Sequence, residues 1–228
     1  MLVAIAPIVA AVALLSVASI LAMELAARAL GVSVERVRFG MGPRVLRVGG
    51  AEFGLVPYGG FVQCKDRRAE GADPHDARGA LDAQPLAVRV ALPLCGAGAL
   101  ALVALACAPT ASDGLAQIGS GFVQLLGGAL SPTGHGAALL DRLAHAARTQ
   151  GTAAFVGLVA AKLAAFNLLP LPGLNGGQAI AALASAVPGA PRLVPAGLRD
   201  ALGWAVIALN LSWAVALVAW LVGGAFGT

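Results

Sequence analysis

The chain offers few residues able to do chemistry, and it scatters them. Its three histidines are His75, His135 and His145, and its three cysteines are Cys64, Cys95 and Cys107. None stands at a metal-ligand spacing, and the cysteines form no paired framework, so the thiols read as buried or idle. Glu24 and Arg28 stand at i, i+4 and are expected to pair, an interaction worth a few tenths of a kcal/mol. Lys162 lies inside an apolar stretch, where an ammonium costs several kcal/mol unless it snorkels or finds a partner. The remaining polar signal is "NLLPLPGLNGG", residues 167–177, with Asn175 after its prolines. Asn accepts turn geometry as readily as Asp does, so the residue is compatible with a structural turn.

The elements that carry these residues are apolar. The 228 residues are 59% hydrophobic and 11% charged, with a mean hydropathy of +0.85. That is too little charge for the surface of a soluble domain of this length. Leu2–Met23, Val90–Ser112, Leu163–Pro191 and Ala201–Thr228 contain no charged residue. Each is at least as long as the roughly 20 residues that cross a bilayer. The expected fold is an α-helical polytopic membrane protein with about four transmembrane helices, at 2–29, 86–108, 149–169 and 201–225. The first run lacks a basic leader and is too long for a cleavable signal core, so it reads as a true helix.

Ten of the fifteen Lys and Arg residues fall between Arg28 and Arg89. The positive-inside rule makes that segment cytoplasmic, together with the connection 186–200. Both termini and the loop 108–148 are then expected outside. The net charge of +4 follows this topology and is no nucleic-acid footprint. Residues 32–64 alternate and are punctuated by Gly and Pro, which predicts short strands with a hairpin at "VGGAEFG". Irregular backbone cannot face lipid unsatisfied, so this membrane-associated β-sheet is expected at the interface or in a cavity. Residues 65–84 read as a polar cytoplasmic linker, 114–130 as a helix lying on the outer interface, and 170–178 as a re-entrant turn. Trp204, Trp213 and Trp220 fit interfacial anchors or packing groups.

Taken in order, "GVSVERVRFGMGPRV", "LVPYGGFVQCKD", "QPLAVRVALPLCGAGALAL" and "AAKLAAFNLLPLPGLNGGQAI" resemble the site-2 protease family of intramembrane zinc metalloproteases. The resemblance covers nearly the whole chain as a single domain, and the loop 108–148 is too short to hold the PDZ insertion of some members. It implies a His-Glu-x-x-His motif in the first helix, with two zinc ligands one turn apart and Glu as general base. A third ligand is the Asp of a "LDGG" motif. The ungapped match from "LAARALGV" puts Ser19, Ile20, Leu21, Ala22 and Met23 in the metal motif, so ligand and base positions fall on Ser19, Ile20 and Met23. A four-residue deletion instead aligns Met23 and Glu24 with the His-Glu pair, leaving Glu24 as a relict base without either histidine. The third ligand position is Asn175, a neutral amide that binds zinc far more weakly than a carboxylate. A substrate-binding Asn of many relatives, in the second helix, corresponds to the region of Leu92 and Gly96.

The resemblance therefore implies the scaffold of an intramembrane protease without its metal ligands. The expected role is a catalytically inactive binding or structural subunit of a membrane complex, with no cofactor. The rival is an active zinc metalloprotease with unusual ligands, holding about one zinc per chain. Expected partners are the lipid bilayer and other membrane subunits or a transmembrane client, in a bacterial inner membrane. In active relatives a sheet edge holds the substrate by strand addition, which needs no metal. The candidate binding residues are Phe53, Leu55, Val56, Tyr58, Gly59 and Gly60 on the sheet, with Asn167, Pro170, Asn175 and Gly176 at the re-entrant turn. For Lys162 the alternatives are that its ammonium fills the vacated metal cavity and pairs with Glu24, that it snorkels to the outer face, or that it meets a partner subunit.

Overall fold

The structure is a computed structural model, and it describes residues 2–67, 78–187 and 196–226. His75, Arg68 and most of the expected linker lie outside the described residues, as does Arg192 in the connection 186–200. In chain order the helices are α1 (Leu2–Ala29), α2 (Leu86–Cys107), α3 (Ala111–Leu130), α4 (Ala137–Thr149), α5 (Thr152–Asn167), α6 (Asn175–Ala184) and α7 (Ala196–Phe226). Strands β1 (Val34–Val48) and β2 (Ala51–Cys64) follow α1.

Three helices are long and apolar enough to cross a membrane: Ile5–Ala29, Leu86–Cys107 and Asp200–Gly223. Only 22%, 33% and 17% of their most apolar windows are buried within the protein, so most of that apolar surface needs lipid as its solvent. Leu14, Leu102 and Leu211 are exposed on these helices. The chain is thus an integral membrane protein, and three helices among the described residues can span the bilayer by length and composition. The expected fourth, 149–169, is the 16-residue apolar helix α5, shorter than a full span. It is the most enclosed helix, with Phe155, Val159, Ala160, Ala161, Ala164 and Ala165 in the main core beside Leu100, Ala104 and Ile118. Its small residues let neighbours come close, as membrane helix packing requires. Gly121 of α3 sits against Ala165, and Gly157 of α5 against Cys107.

α1 ends where Gly31 takes a positive φ of 71°, a conformation Gly adopts without steric cost. The chain then turns into the β-hairpin, reversing at Gly49–Gly50 as the motif predicts. The ribbon is antiparallel but strongly irregular. Val37, Arg38 and Phe39 each stand opposite two β2 residues, one within 60–62 and one within 51–53. The middle of β1 therefore has neighbours on both sides, and Phe39 stacks on Phe53 at 5.2 Å between ring centroids. Residues 61–64 have no further strand beside them among the described residues. Glu52, buried in this sheet, is met by Arg44 at 3.3 Å.

The stretch expected as an interfacial helix is α3, capped by Thr110, whose side chain accepts from the Asp113 amide. α3 packs Gly114 against Leu105 of α2, Gly121 against Ala165 of α5 and Gly128 against Trp213 of α7. A π-helical turn at Pro132–Gly136 reverses the chain into α4, which runs back along α7. Trp213 and Trp220 serve as packing and hydrogen-bonding groups here. Trp213 Nε1 donates to the Leu125 carbonyl at 3.1 Å, and Trp220 Nε1 to Asp141 Oδ1 at 2.6 Å.

Candidate functional site

The site forms where α1, the Gly-rich end of β2, the end of α5 and the start of α6 converge. A cavity of about 250 Å³ lies between them. α1 is apolar all round, yet Ser16 and Ser19 are buried on one of its faces, with Met23 one turn beyond. Residues three and four apart share a helix face, so Ser16, Ser19, Ile20 and Met23 all border the cavity. α2 closes from behind. A side chain at Gly96 would come within 2.7 Å of Ser19 Oγ and 2.9 Å of Met23 Sδ and displace both, so Gly lets α2 approach closely here. That places the Gly96 of the second-helix motif directly behind the positions of the first-helix motif.

β2 supplies the roof. The Gly59 amide donates to Ser16 Oγ at 3.2 Å, tying the strand to α1. Gly60 has a φ of 135°, and a Cβ there would overlap the Arg38 carbonyl and lie 2.5 Å from Ile20 Cδ1. Tyr58 borders the cavity with its ring 6.3 Å from that of Phe166 on α5. Burial pushes its phenol up to about 12.

The re-entrant segment supplies the floor. α5 stops at Asn167, whose Nδ2 donates back to the Leu163 carbonyl at 2.8 Å. The turn is made at Gly173, φ 82°, and α6 begins at Asn175. The expected turn 170–178 is therefore shorter, and Asn175, Gly176 and Gly177 are the first residues of a helix. The two glycines serve close packing: a Cβ on Gly176 would overlap the Leu168 carbonyl, and one on Gly177 that of Leu171. This packing presses the N-terminus of α6 onto the preceding loop and sets Asn175 against the cavity, 7% exposed. Its carboxamide has no hydrogen-bond partner among the described residues.

The structure thus brings together Ser19, Ile20, Met23, Tyr58, Gly59, Gly60, Asn167 and Asn175. Phe53, Leu55 and Val56 lie elsewhere on the sheet, the latter two exposed. Pro170 is exposed outside the cavity, and Gly176 acts behind Asn175. Sequence reasoning missed Ser16, Gln178 and Asn210, which also line it. Ser16 is one turn from Ser19 and Gln178 one turn from Asn175, while Asn210 is a lone amide in an apolar helix. Each was visible as a polar residue at helical spacing.

The expected Glu24–Arg28 pair is present, and two of the alternatives fall away. Glu24 does not border the cavity; it accepts from Arg28 Nη2 at 2.5 Å, the local ion pair that the i, i+4 spacing favours. Lys162 does not fill the cavity or meet Glu24. Its Nζ donates to the Gln117 carbonyl at 2.9 Å and Ser120 Oγ at 3.1 Å, both on α3. The reason is helical geometry: five residues before Asn167, it lies about 140° round α5 at 3.6 residues per turn. Leu163, Phe166 and Asn167 face the site, while Lys162 faces the other way.

Ser19, Met23 and Asn175, which the resemblance sets at the ligand positions, carry a hydroxyl, a thioether and a carboxamide. Zinc takes thiolate, imidazole or carboxylate, and a catalytic site needs three such ligands. Ser19, Met23 and Asn175 do not fit it. Among the described residues, no group of three His, Cys, Asp or Glu lies together elsewhere either. What the cavity does offer is hydroxyls and carboxamides, which both donate and accept hydrogen bonds.

No curated protein matches the chain. The model of peptidase family M50, the site-2 protease family, matches residues 24–198. That match runs from the end of α1 through the hairpin, α2, α5 and the Asn175 motif into α7, and the chain belongs to peptidase family M50.

Proposed function

We propose that this protein is a proteolytically inactive M50 member that binds a transmembrane client or partner subunit through its site-2-protease-like cleft. The observation that carries the reading is the neutral lining of the cavity, to which Ser19, Met23 and Asn175 bring only a hydroxyl, a thioether and a carboxamide. Loss of one ligand leaves a weak site, whereas loss of all three leaves no charge to hold a divalent ion. The surroundings favour binding of an extended chain. Among the described residues the strand edge at 61–64 has no further strand beside it, and Leu55 and Val56 are exposed at 62% and 48%. A client strand added there gains main-chain hydrogen bonds without any metal. Ser19, Tyr58, Asn175 and Gln178 would satisfy its peptide groups inside the cleft. In this reading the protein sits in a bacterial inner membrane with both termini outside, as its basic segments direct.

The test has two arms. Zinc is measured in protein purified from its native membrane, before and after chelator. A value near zero is expected, and one zinc per chain lost to chelator identifies the active metalloprotease instead. A photo-crosslinking residue is then placed at Leu55, or at Leu211 on the exposed face of α7. Capture of one defined membrane protein from Leu55 supports strand addition. Capture from Leu211 alone identifies a passive subunit held by its helices.

A further inference from the structure

A second cavity, of about 760 Å³, lies between α3, α4, α5 and α7, on the flank of α5 away from the site above. Its wall is divided. Gln117, Ser120 and Gln124 form one polar stripe of α3 at i, i+3 and i+7, and Lys162 of α5 reaches across to them. Arg142 and His145 of α4 border the same space. Leu125, Leu139, Leu143, Leu158 and Trp213 make the apolar remainder.

The charges do not balance. Lys162 is half-buried and its two hydrogen-bond partners, a carbonyl and a hydroxyl, are neutral. Arg142 donates only to the Ala138 carbonyl, at 3.4 Å. Neither cation has a carboxylate partner among the described residues. The one acid on the wall, Asp141, is held by Trp220 Nε1 at 2.6 Å. Lys162, half-buried between apolar helices, is unfavourable until a counter-charge reaches it, and the exposed Arg142 adds positive charge at the rim. The wall thus calls for an anion, while its leucines and Trp213 call for an apolar body. The volume lies within the roughly 300–1,000 Å³ of small-molecule sites.

We propose that this cavity binds an anionic amphiphile, its phosphate or carboxylate head on Lys162 and Arg142 and its chain along the leucines and Trp213. A small inorganic anion would satisfy the cations but leave the apolar wall uncovered. The two sources of the shared chemistry are an anionic membrane phospholipid and a free fatty acid. Nothing in this site depends on the cleft beside Ser19, so the proposal stands or falls apart from the client-binding reading.

The full chain, delipidated in a nonionic detergent, is followed by thermal unfolding with dioleoylphosphatidylglycerol, oleate or dioleoylphosphatidylcholine. At least one anionic probe raises the midpoint saturably, and the zwitterionic lipid does not. A response to phosphatidylglycerol alone identifies phospholipid, a response to oleate alone identifies fatty acid, and a response to both makes head-group charge the requirement. Lys162→Gln and Arg142→Gln each weaken the apparent affinity for the stabilising anion by about tenfold, equivalent to removal of one modest charge contact. Arg142 is exposed, so its variant carries the comparison even where Lys162→Gln fails to fold. Equal stabilisation by phosphatidylcholine, no response to either anion, or undiminished affinity in the folded variants overturns the proposal.

Discussion

Restoring the missing ligands is the sharpest test of how the site is built. The perturbation is Ser19→His, Met23→His and Asn175→Asp together, with Ile20 kept so that no general base is added. Ser19 and Met23 are one turn apart on the cavity face of α1, and Asn175 borders the same cavity from α6. Room is adequate on the cavity side, because the space of about 250 Å³ greatly exceeds the roughly 10–15 Å³ that one water needs. It is not adequate toward α2, where Gly96 already lies against Ser19 and Met23, so both imidazoles must turn inward. Two imidazoles and a carboxylate form a zinc-binding set with one open position. With zinc at a hundred times its Kd, binding to the folded state stabilises it by about 2.7 kcal/mol. For a chain of this length that raises the midpoint by roughly 5–11 °C. The assay is thermal unfolding with and without zinc, together with metal content after gel filtration. The triple variant is expected to carry about one zinc, while the parent protein carries none and does not shift. A variant that folds like the parent but takes up no zinc would show that the three positions do not converge as described.

Two further predictions use other parts of the same site. Gly177→Ala places a methyl group into the Leu171 carbonyl, which backbone cannot relieve as a flexible side chain would; overpacking of this kind costs about 1–3 kcal/mol, read as a lowered unfolding midpoint, whereas Gly203→Ala inside α7 meets nothing nearby and does not lower it. Tyr58 is the chain's single tyrosine, so phenolate absorbance reports it alone. Its native titration is expected near 12, against the ordinary 10.0 in the unfolded chain, because burial disfavours the phenolate. The raised value means its contribution to stability is complete below about pH 10 and is lost as pH climbs toward 12. A native titration near 10.0 would place the ring in water and refute the burial.

Much of the framework was legible because lipid imposes simple rules. Uncharged runs long enough to cross a bilayer became α1, α2 and α7, since a helix alone satisfies its backbone there. Gly31 and the Gly49–Gly50 pair marked the end of α1 and the hairpin reversal, as local backbone preference does wherever it acts alone. The doubled pairing of Val37, Arg38 and Phe39 was not legible, because strand alternation says nothing about folding of a ribbon onto itself. The side of α5 that Lys162 faces was equally hidden. An apolar helix carries no amphipathic stripe to give its orientation, and only the neighbours α2 and α3 fix it.

The ligand positions illustrate the division. Residue identity at 19, 23 and 175 was settled by the sequence, and with it the absence of imidazole and carboxylate at those points. Two registers of the first-helix motif remained open, one ending in Ser19 and Met23 and the other relying on Glu24. In the folded chain Ser19 and Met23 face Asn175 across the cavity while Glu24 turns outward to Arg28, an arrangement that favours the first register. Sequence spacing defines neighbours along one helix. The convergence of α1 with a strand and a distant helix start depends on close packing at Gly60, Gly96, Gly176 and Gly177, which exists only in the folded chain.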